Sequence, residues 1–319
     1  MNLPGTIWTL IIGVGVIAGL LGLTTAMIWI ERRVLAKFQD RLGPNRVGPL
    51  GLLQPIADII KLFMKEDWVP PFADKLIFIA APAILAATVI LAFAVVPITD
   101  KIKVSDANVG LIFFLAMTSL GVYSIVLAGW ASNSKYSLIG GMRGAAQMIS
   151  YELPMAVALA GVVLLAGSFR LIDVVNAQSR AWFCVLQPIG FVVFMVAGIA
   201  EARRNPFDLP EADSEIVAGY HTEYSSMKFA LFFMGEYLDV ILISAMVTTL
   251  YLGGWHGPIL PPVVWFIVKM FAVIFLFIWS RAVLPRFRFD QLMSFGWKVL
   301  LPLSLVNVVA TGAVLLAVR

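Results

Sequence analysis

The stretch EARRNPFDLPEADSEIVAGYHTEYSS, residues 201–226, carries Glu201, Asp208, Glu211, Asp213, Glu215 and Glu223, six of the 19 acidic residues in the chain. Four more ionisable residues interrupt apolar runs: Glu152 after QMISY, Glu236 and Asp239 in FFMGEYLDVILI, and Lys269 in VVWFIVKMFAV. A charged side chain at membrane depth costs about 2.5–3.5 kcal/mol on insertion scales, and such residues mark function by default. Desolvation favours the neutral form of acids and bases alike, so these groups could change protonation near neutral pH. That is the chemistry of a proton relay. Glu236 and Asp239 are three apart and share one helical face. A plainer alternative for Asp239 and Lys269 is a neutralising pair between two helices that fixes their packing.

These groups need a scaffold, and the composition supplies its class. Hydrophobic residues make up 61 % of 319, against about 45–50 % in soluble domains. Several apolar runs reach the ~20 residues that cross a bilayer as a helix. The expected fold is an all-α polytopic membrane protein, a single membrane domain over 1–319. Eight spans are predicted, at about 6–30, 76–98, 109–129, 145–168, 182–200, 228–251, 262–284 and 296–317. The first run ends at ERR and lacks the basic leader of a secretory signal, so it reads as a retained span. Residues 51–67, GLLQPIADIIKLFMKED, place Leu52, Leu53, Ile56, Ile59, Ile60 and Phe63 opposite Asp58, Lys61 and Lys65. This short amphipathic segment predicts an interfacial helix rather than a span.

Lys and Arg placement predicts orientation. Seventeen of the 23 basic residues fall in, or at the span ends bordering, the connections after spans one, three, five and seven. Those loops are predicted to be cytoplasmic, with both termini on the other side. The +4 net charge therefore reports topology, and it gives no reason to expect a nucleic-acid partner. One cysteine, Cys184, and two histidines, His221 and His256, offer no cluster-ligating or metal-ligating spacing. No GxGxxG or Walker pattern is present. Any redox cofactor is thus expected in another chain. The loops QDRLGPNRVGP (39–49) and NPFDLPE (205–211) are restrained by proline. In and around them, Phe38, Phe63, Phe207, Tyr220, Tyr224 and Phe229 sit among the charges. Such a mixture would suit either a greasy channel with a polar end or a solvated loop that docks a partner.

Four long segments resemble, in order, the signatures of the H-type membrane subunits of complex I, the proton-pumping NADH:quinone oxidoreductase. They are IERRVLAKFQDRLGPNRVGPLGLLQPIADIIKLFMKE (30–66), GWASNSKYSLIGGMRGAAQMISYELP (129–154), the acidic stretch 201–226, and SRAVLPRFRFDQLMSFGWKVLLPLSLVN (280–307). The resemblance covers the chain end to end. It implies a component of a translocase in a bacterial cytoplasmic (inner) membrane. Loops 31–75, 130–144, 201–227 and 285–295 would form part of a quinone chamber together with peripheral-arm subunits. Ubiquinone or menaquinone would be the substrate. Iron–sulfur clusters and flavin would sit only in partner subunits, and small membrane and antiporter-like subunits would adjoin.

Carried over motif by motif, the resemblance places Glu31, Arg32, Arg33, Gln39, Arg41, Asp58, Lys61, Phe207, Phe229, Arg286, Arg288 and Asp290 at the quinone chamber. It places Glu152, Glu201, Arg204, Asp208, Glu211, Asp213, Glu215, Glu223, Glu236, Asp239 and Lys269 on the proton-coupling side. Three positions depart from the family pattern. Arg203 and His221 stand where asparagine is common, and Asp213 replaces a glutamate. Two alternatives remain at this point. One is the homologous membrane component of an energy-converting hydrogenase, which uses no quinone. The other is a stand-alone secondary transporter, which internal repeats would favour; none is visible between the two halves.

Overall fold

The computed structural model describes the backbone of residues 3–211 and 213–318, and the side chains of residue 7 and of residues 11–211 and 215–317. The predicted site residue Asp213 has its side chain outside the described residues. The helices are α1 (Leu3–Phe38), α2 (Gln54–Met64), α3 (Lys75–Phe93), α4 (Gly110–Ala131), α5 (Lys135–Ala166), α6 (Pro188–Glu201), α7 (Ser226–Tyr251), α8 (Pro262–Val283), α9 (Phe289–Phe295) and α10 (Leu301–Val318). Helical turns at Leu171–Ala177, Phe183–Leu186 and Asp213–Ile216 punctuate the connections. No strand occurs among the described residues.

Among the described residues, seven helices are long and apolar enough to cross a membrane, α9 and α10 counting as one continuous rod through a π-helical turn at Gly296–Leu300. The eight-span expectation is therefore met by seven. The exception is the predicted span 182–200. Gln187 leaves helical geometry at φ −132° and ψ 65°, because the residue before a proline is pushed out of the helical region. Only the 14 residues of α6 continue, which at 1.5 Å per residue reach about 21 Å.

Several boundaries also differ. Helix α1 runs on to Phe38, so Glu31, Arg32 and Arg33 are helical rather than in a loop. Likewise, α5 begins at Lys135 and α9 at Phe289, inside segments expected as loops. Charge alone marks these segments as loops, yet a long helix carries its charged end beyond the apolar layer at no cost in hydrogen bonds. Helix α2 has 11 residues, with Ile56, Ile59, Ile60 and Phe63 exposed on its apolar side.

Helix α7 is the axis of the bundle. From Gly235 to Tyr251 every residue is buried, as expected of a helix apolar on all sides. It packs on α3 and α8 and also touches α1, α2 and α6. The acidic loop, residues 202–225, lies across the start of α5. A Cβ on Gly140 would come within 2.6 Å of Gly219 Cα, so only a glycine lets the loop backbone approach here. Gly219 adopts φ 58°, and its own Cβ would lie 1.7 Å from Pro210 O. From α5, Gln147 Nε2 donates to Ala200 O at 2.8 Å and to Phe207 O at 2.6 Å. One buried amide thus ties the end of α6 to the loop that follows it.

Candidate functional site

Helical spacing on α7 builds the first feature. Phe229, Phe233 and Tyr237 recur every four residues and form one ridge. Successive rings stand 6.1 and 5.0 Å apart. At the Phe229 end, the ridge walls a cavity of about 440 Å³ between α1, α2 and α7. Its lining is apolar over Leu21, Ile28, Ile59 and Leu62, with Arg32, Asp58 and Lys61 on it as well. Arg32 Nη1 donates to Asp58 Oδ2 at 2.6 Å, and Gln54 Nε2 to Asp58 Oδ1 at 3.1 Å. Arg33 Nη1 donates to Leu50 O at 3.1 Å and lies over the Trp29 ring. This pins the segment before α2 to α1.

At the Tyr237 end, the ridge meets buried charge. The Arg204 guanidinium sits 4.3 Å from the Tyr237 ring centroid. Arg204 Nη1 donates to Glu31 Oε1 at 3.3 Å, and its Nε is 3.0 Å from Glu236 Oε1, off the hydrogen-bond direction. Arg281 Nη1 contacts the same Glu31 oxygen from α8. One turn along α7, Arg203 Nη2 donates to Asp239 Oδ2 at 2.7 Å. Arg286 Nη2 donates to Asp208 Oδ2 at 2.6 Å, while Phe207 stacks between Tyr151 and Phe287. Tyr220 Oη donates to Glu211 Oε1 at 3.3 Å, and His221 Nδ1 is 3.9 Å from that oxygen. Glu201 is buried beside Asp239 at a small void also lined by Thr88 and Thr118. Glu152 is held by Ser119 Oγ on α4.

Much of this cluster is incompletely paired. Glu201 Oε2, Asp208 Oδ1, Arg203 Nε and Nη1 and Arg204 Nη2 are buried without a hydrogen-bond partner. An unsatisfied buried group of this kind costs about 1–3 kcal/mol, more when charged. Burial pushes the Asp208 carboxyl up to about 6, against the opposing pull of Arg286. Burial also lifts Glu211 well above the usual carboxylate range, with Glu236 and Asp208 adding to the rise and Arg203 and Arg204 opposing it. Glu211 is thereby biased toward its protonated form, and Asp208 sits close to exchange. Arg203 is held firmly protonated: burial opposes its charge, but Tyr220, Asp239, Glu236 and Glu211 outweigh burial.

Other expected site residues stand apart. Arg288 and Asp290 pair with each other at 2.5 Å on the exposed surface. Arg41 Nε donates to Gln39 Oε1 at 2.7 Å, also in the open. Glu215 binds Arg143 at 2.5 Å at the rim, and Glu223 is half-buried nearby. The alternative packing pair of Asp239 and Lys269 does not form. Asp239 is taken by Arg203. Lys269 Nζ donates to Leu252 O, Gly254 O and His256 O at 2.6, 3.0 and 2.7 Å, beyond the far end of α7. Its three donors suit three carbonyls of a turn that has just left the helix and lacks intrahelical partners.

Five residues of the cluster escape the sequence reading as site residues: Arg203, Arg281, Tyr237, Gln147 and Ser119. In sequence, Arg203 is an added charge beside Arg204, and Arg281 is one of many topology residues. The i, i+3 recurrence of acids on α7 is legible, but the partners in the cluster are not, because Arg203 meets Asp239 across 36 residues and Arg281 meets Glu31 across 250. Among the described residues, no group of three or more His, Cys, Asp or Glu is arranged to hold a metal ion.

The comparisons with known proteins agree with one another. The model of the NADH dehydrogenase family matches residues 11–312. A protein of Methylococcus capsulatus, named as the H subunit of NADH-quinone oxidoreductase, is 56 % identical over 306 residues, covering 96 % of this chain and 97 % of the relative. A protein of Geobacter metallireducens with the same designation is 55 % identical over 305 residues, covering 93 % of each chain. One of Geobacter sulfurreducens, again so designated, is also 55 % identical, over 307 residues and 93 % of each chain. An apolar multi-helix chain with a buried acid–arginine cluster, matched over nearly its whole length, belongs to the family of H-type membrane subunits of NADH-quinone oxidoreductase.

Proposed function

We propose that this chain is the membrane component through which quinone reaches the reduction site of a proton-translocating NADH:quinone oxidoreductase, and that it couples quinone reduction to proton movement. The observation that carries the reading is the 440 Å³ apolar cavity between α1, α2 and α7. The Phe229–Phe233–Tyr237 ridge that walls it leads on to Arg204, Glu31 and Glu236. A quinone carries an isoprenoid tail and a polar ring. The cavity offers an apolar bed for the tail, with Arg32, Asp58 and Lys61 where a ring would pass. The hydrogenase counterpart uses no quinone and needs no such cavity, which favours the quinone reading.

The chain would lie in a bacterial cytoplasmic membrane, with the basic loops inside and both termini outside. Helix α2 would rest in the interface. Loops 31–75, 130–144, 201–227 and 285–295 would help to wall the chamber, with Arg33, Gln39, Arg41, Arg286, Arg288 and Asp290 facing the peripheral-arm partners. Electrons would come from an iron–sulfur cluster in such a partner, supplied in turn by a flavin-bearing one. Reduction of quinone to quinol takes two electrons and two protons. The second electron and the missing protons place negative charge at the ring.

Acids of the 201–223 loop respond to that charge. Asp208, Glu211 and Glu215 lie at its edge, while Glu201, Glu152 and Glu236 continue inward toward the antiporter-like partners. At an effective dielectric of ~20, a unit charge about 4 Å away acts with roughly 4 kcal/mol, enough to move a proton between neighbours. Photolabelling of the assembled complex with an azidoquinone tests the access route. Labelled peptides should come from 21–34, 55–62 and 227–234. Label confined to other regions would refute the route.

A further inference from the structure

We infer that Arg203 is a positioning residue that holds Asp239 as a fixed counter-ion and keeps it out of the groups that exchange protons. The inference rests on the coupling role proposed above and sharpens which carboxylates perform it. Arg203 follows α6 directly, in a left-handed conformation at φ 54°. A non-glycine residue takes that conformation only where its surroundings enforce it. There it turns its side chain into the bundle, where that side chain is fully buried, 0 % exposed. A guanidinium does not give up its proton in a protein, so it must keep a negative partner. The only carboxylate it hydrogen-bonds among the described residues is Asp239, at 2.7 Å.

Arg204, the next residue, differs in kind. It faces two carboxylates, Glu31 and Glu236, and Arg281 also holds Glu31. One of those acids can be neutral while the other keeps the arginine paired, so a shared cation is compatible with proton exchange. Arg203 has a single hydrogen-bonded carboxylate among the described residues. Protonating Asp239 would strand a buried cation, and breaking a buried ion pair on one side is strongly unfavourable.

The groups around Asp239 fit this assignment. From α6 comes Glu201, and from the following connection come Arg203 and Arg204. Its own helix supplies Glu236. Helices α3 and α4 present only the hydroxyls of Thr88 and Thr118, and each donates to its own backbone, at 3.0 and 2.9 Å. Behind this layer, Glu152 acts on Glu201, and Glu211 and Tyr220 act on Arg203. Among the described residues, no second cation lines the void beside Asp239 from α3 or α4.

The test uses the whole complex in inverted membrane vesicles, with Arg203→Lys, Arg203→Gln, Asp239→Asn and the double variant Arg203→Gln/Asp239→Asn. Quinone reductase rate is followed from pH 5 to 9, along with protons moved per electron. Arg203→Lys should keep the parent pH profile. Asp239→Asn should lose most, ~10-fold or more, or fail to assemble, because it strands the guanidinium. Arg203→Gln should add a new ionisation to the pH profile, an effect that a merely structural role would not produce. The double variant should lose that ionisation and regain the parent proton-to-electron ratio. An assembled double variant with a lowered ratio would show that Asp239 carries protons and would overturn the inference. A double variant that fails to assemble would overturn it as well, since neutral isosteres replace a true counter-ion pair. Failure of the coupling reading itself would show separately, as an unchanged ratio in Glu236→Gln.

Discussion

The two ends of α7 solve the problem of buried charge differently. Beyond its C-terminal end, Lys269 gives all three donors to carbonyls of the turn 252–256 and rests against the Trp182 and Trp265 rings. In the N-terminal half, Arg203, Arg204, Glu201 and Asp208 leave polar atoms buried and unpartnered. In the first arrangement the charge is fully satisfied, and the buried atoms left unpartnered around it, Tyr251 Oη, His256 Nε2 and Trp265 Nε1, belong to hydroxyl, imidazole and indole groups. The second leaves carboxylate and guanidinium atoms unpartnered, and so retains hydrogen-bonding capacity at a larger cost in stability. The same contrast recurs outside the bundle. Arg170 grips Asp106 with two nitrogens while Lys103 adds a 2.8 Å contact to the same carboxylate, a staple between the α3–α4 and α5–α6 connections in which Arg170 also reaches Asp173 at 3.7 Å.

The strongest way to break the comparison is to displace the open cluster as a whole. Gly219→Val should do so, because its Cβ would fall on Pro210 O and φ 58° disfavours a branched residue. Quinone reductase activity should fall to background, with the loop becoming sensitive to protease in limited digestion. Next in size, Glu236→Gln should leave the complex assembled yet lower the coupled rate by ~10-fold or more. Reductase assays beside proton-uptake measurements decide it. A normal rate and a normal ratio together would mean that the open cluster does not couple.

Lys269→Met probes the closed end. It leaves three carbonyls short of a donor, at about 1–3 kcal/mol for an unsatisfied buried group. The thermal midpoint of the complex should drop, while protons per electron stay at the parent value. A pumping defect without loss of stability would erase the distinction between the two ends.

One side of this contrast is readable in the sequence. Apolar runs of ~20 residues locate seven long helices, and the i, i+3 spacing puts Glu236 and Asp239 on one face. Partners are another matter. Glu31 meets Arg204 and Arg281 across 173 and 250 residues, and no local periodicity encodes such a meeting. An Asp239–Lys269 pair is attractive because both residues interrupt apolar helices. It fails because Arg203, outside any span, reaches back into the bundle. The broken fifth span is legible in Gln187–Pro188, where a proline follows in the middle of an apolar run. The high mean hydropathy of that run masks the signal.

The smallest effect is expected at Asp208, where pH can open or close the cluster's edge. Burial raises its carboxyl from 3.8 to about 6. The folded protein therefore holds a proton between these values that the unfolded chain has released. Stability should consequently rise as pH falls through about 6 toward 3.8, and the buried ionised form costs most above pH 6. The side chain is 23 % exposed, so solvent trims the cost to about 1–2 kcal/mol. Asp208→Asn removes the ionisation. Its thermal midpoint at pH 7.5 should match or exceed the parent's, and its dependence on pH between 5 and 7.5 should flatten. A variant as pH-dependent as the parent would place that ionisation elsewhere in the cluster. Because Arg286 keeps a hydrogen-bonding oxygen on the asparagine, the loop should stay attached, so the flattened profile would report the lost proton alone.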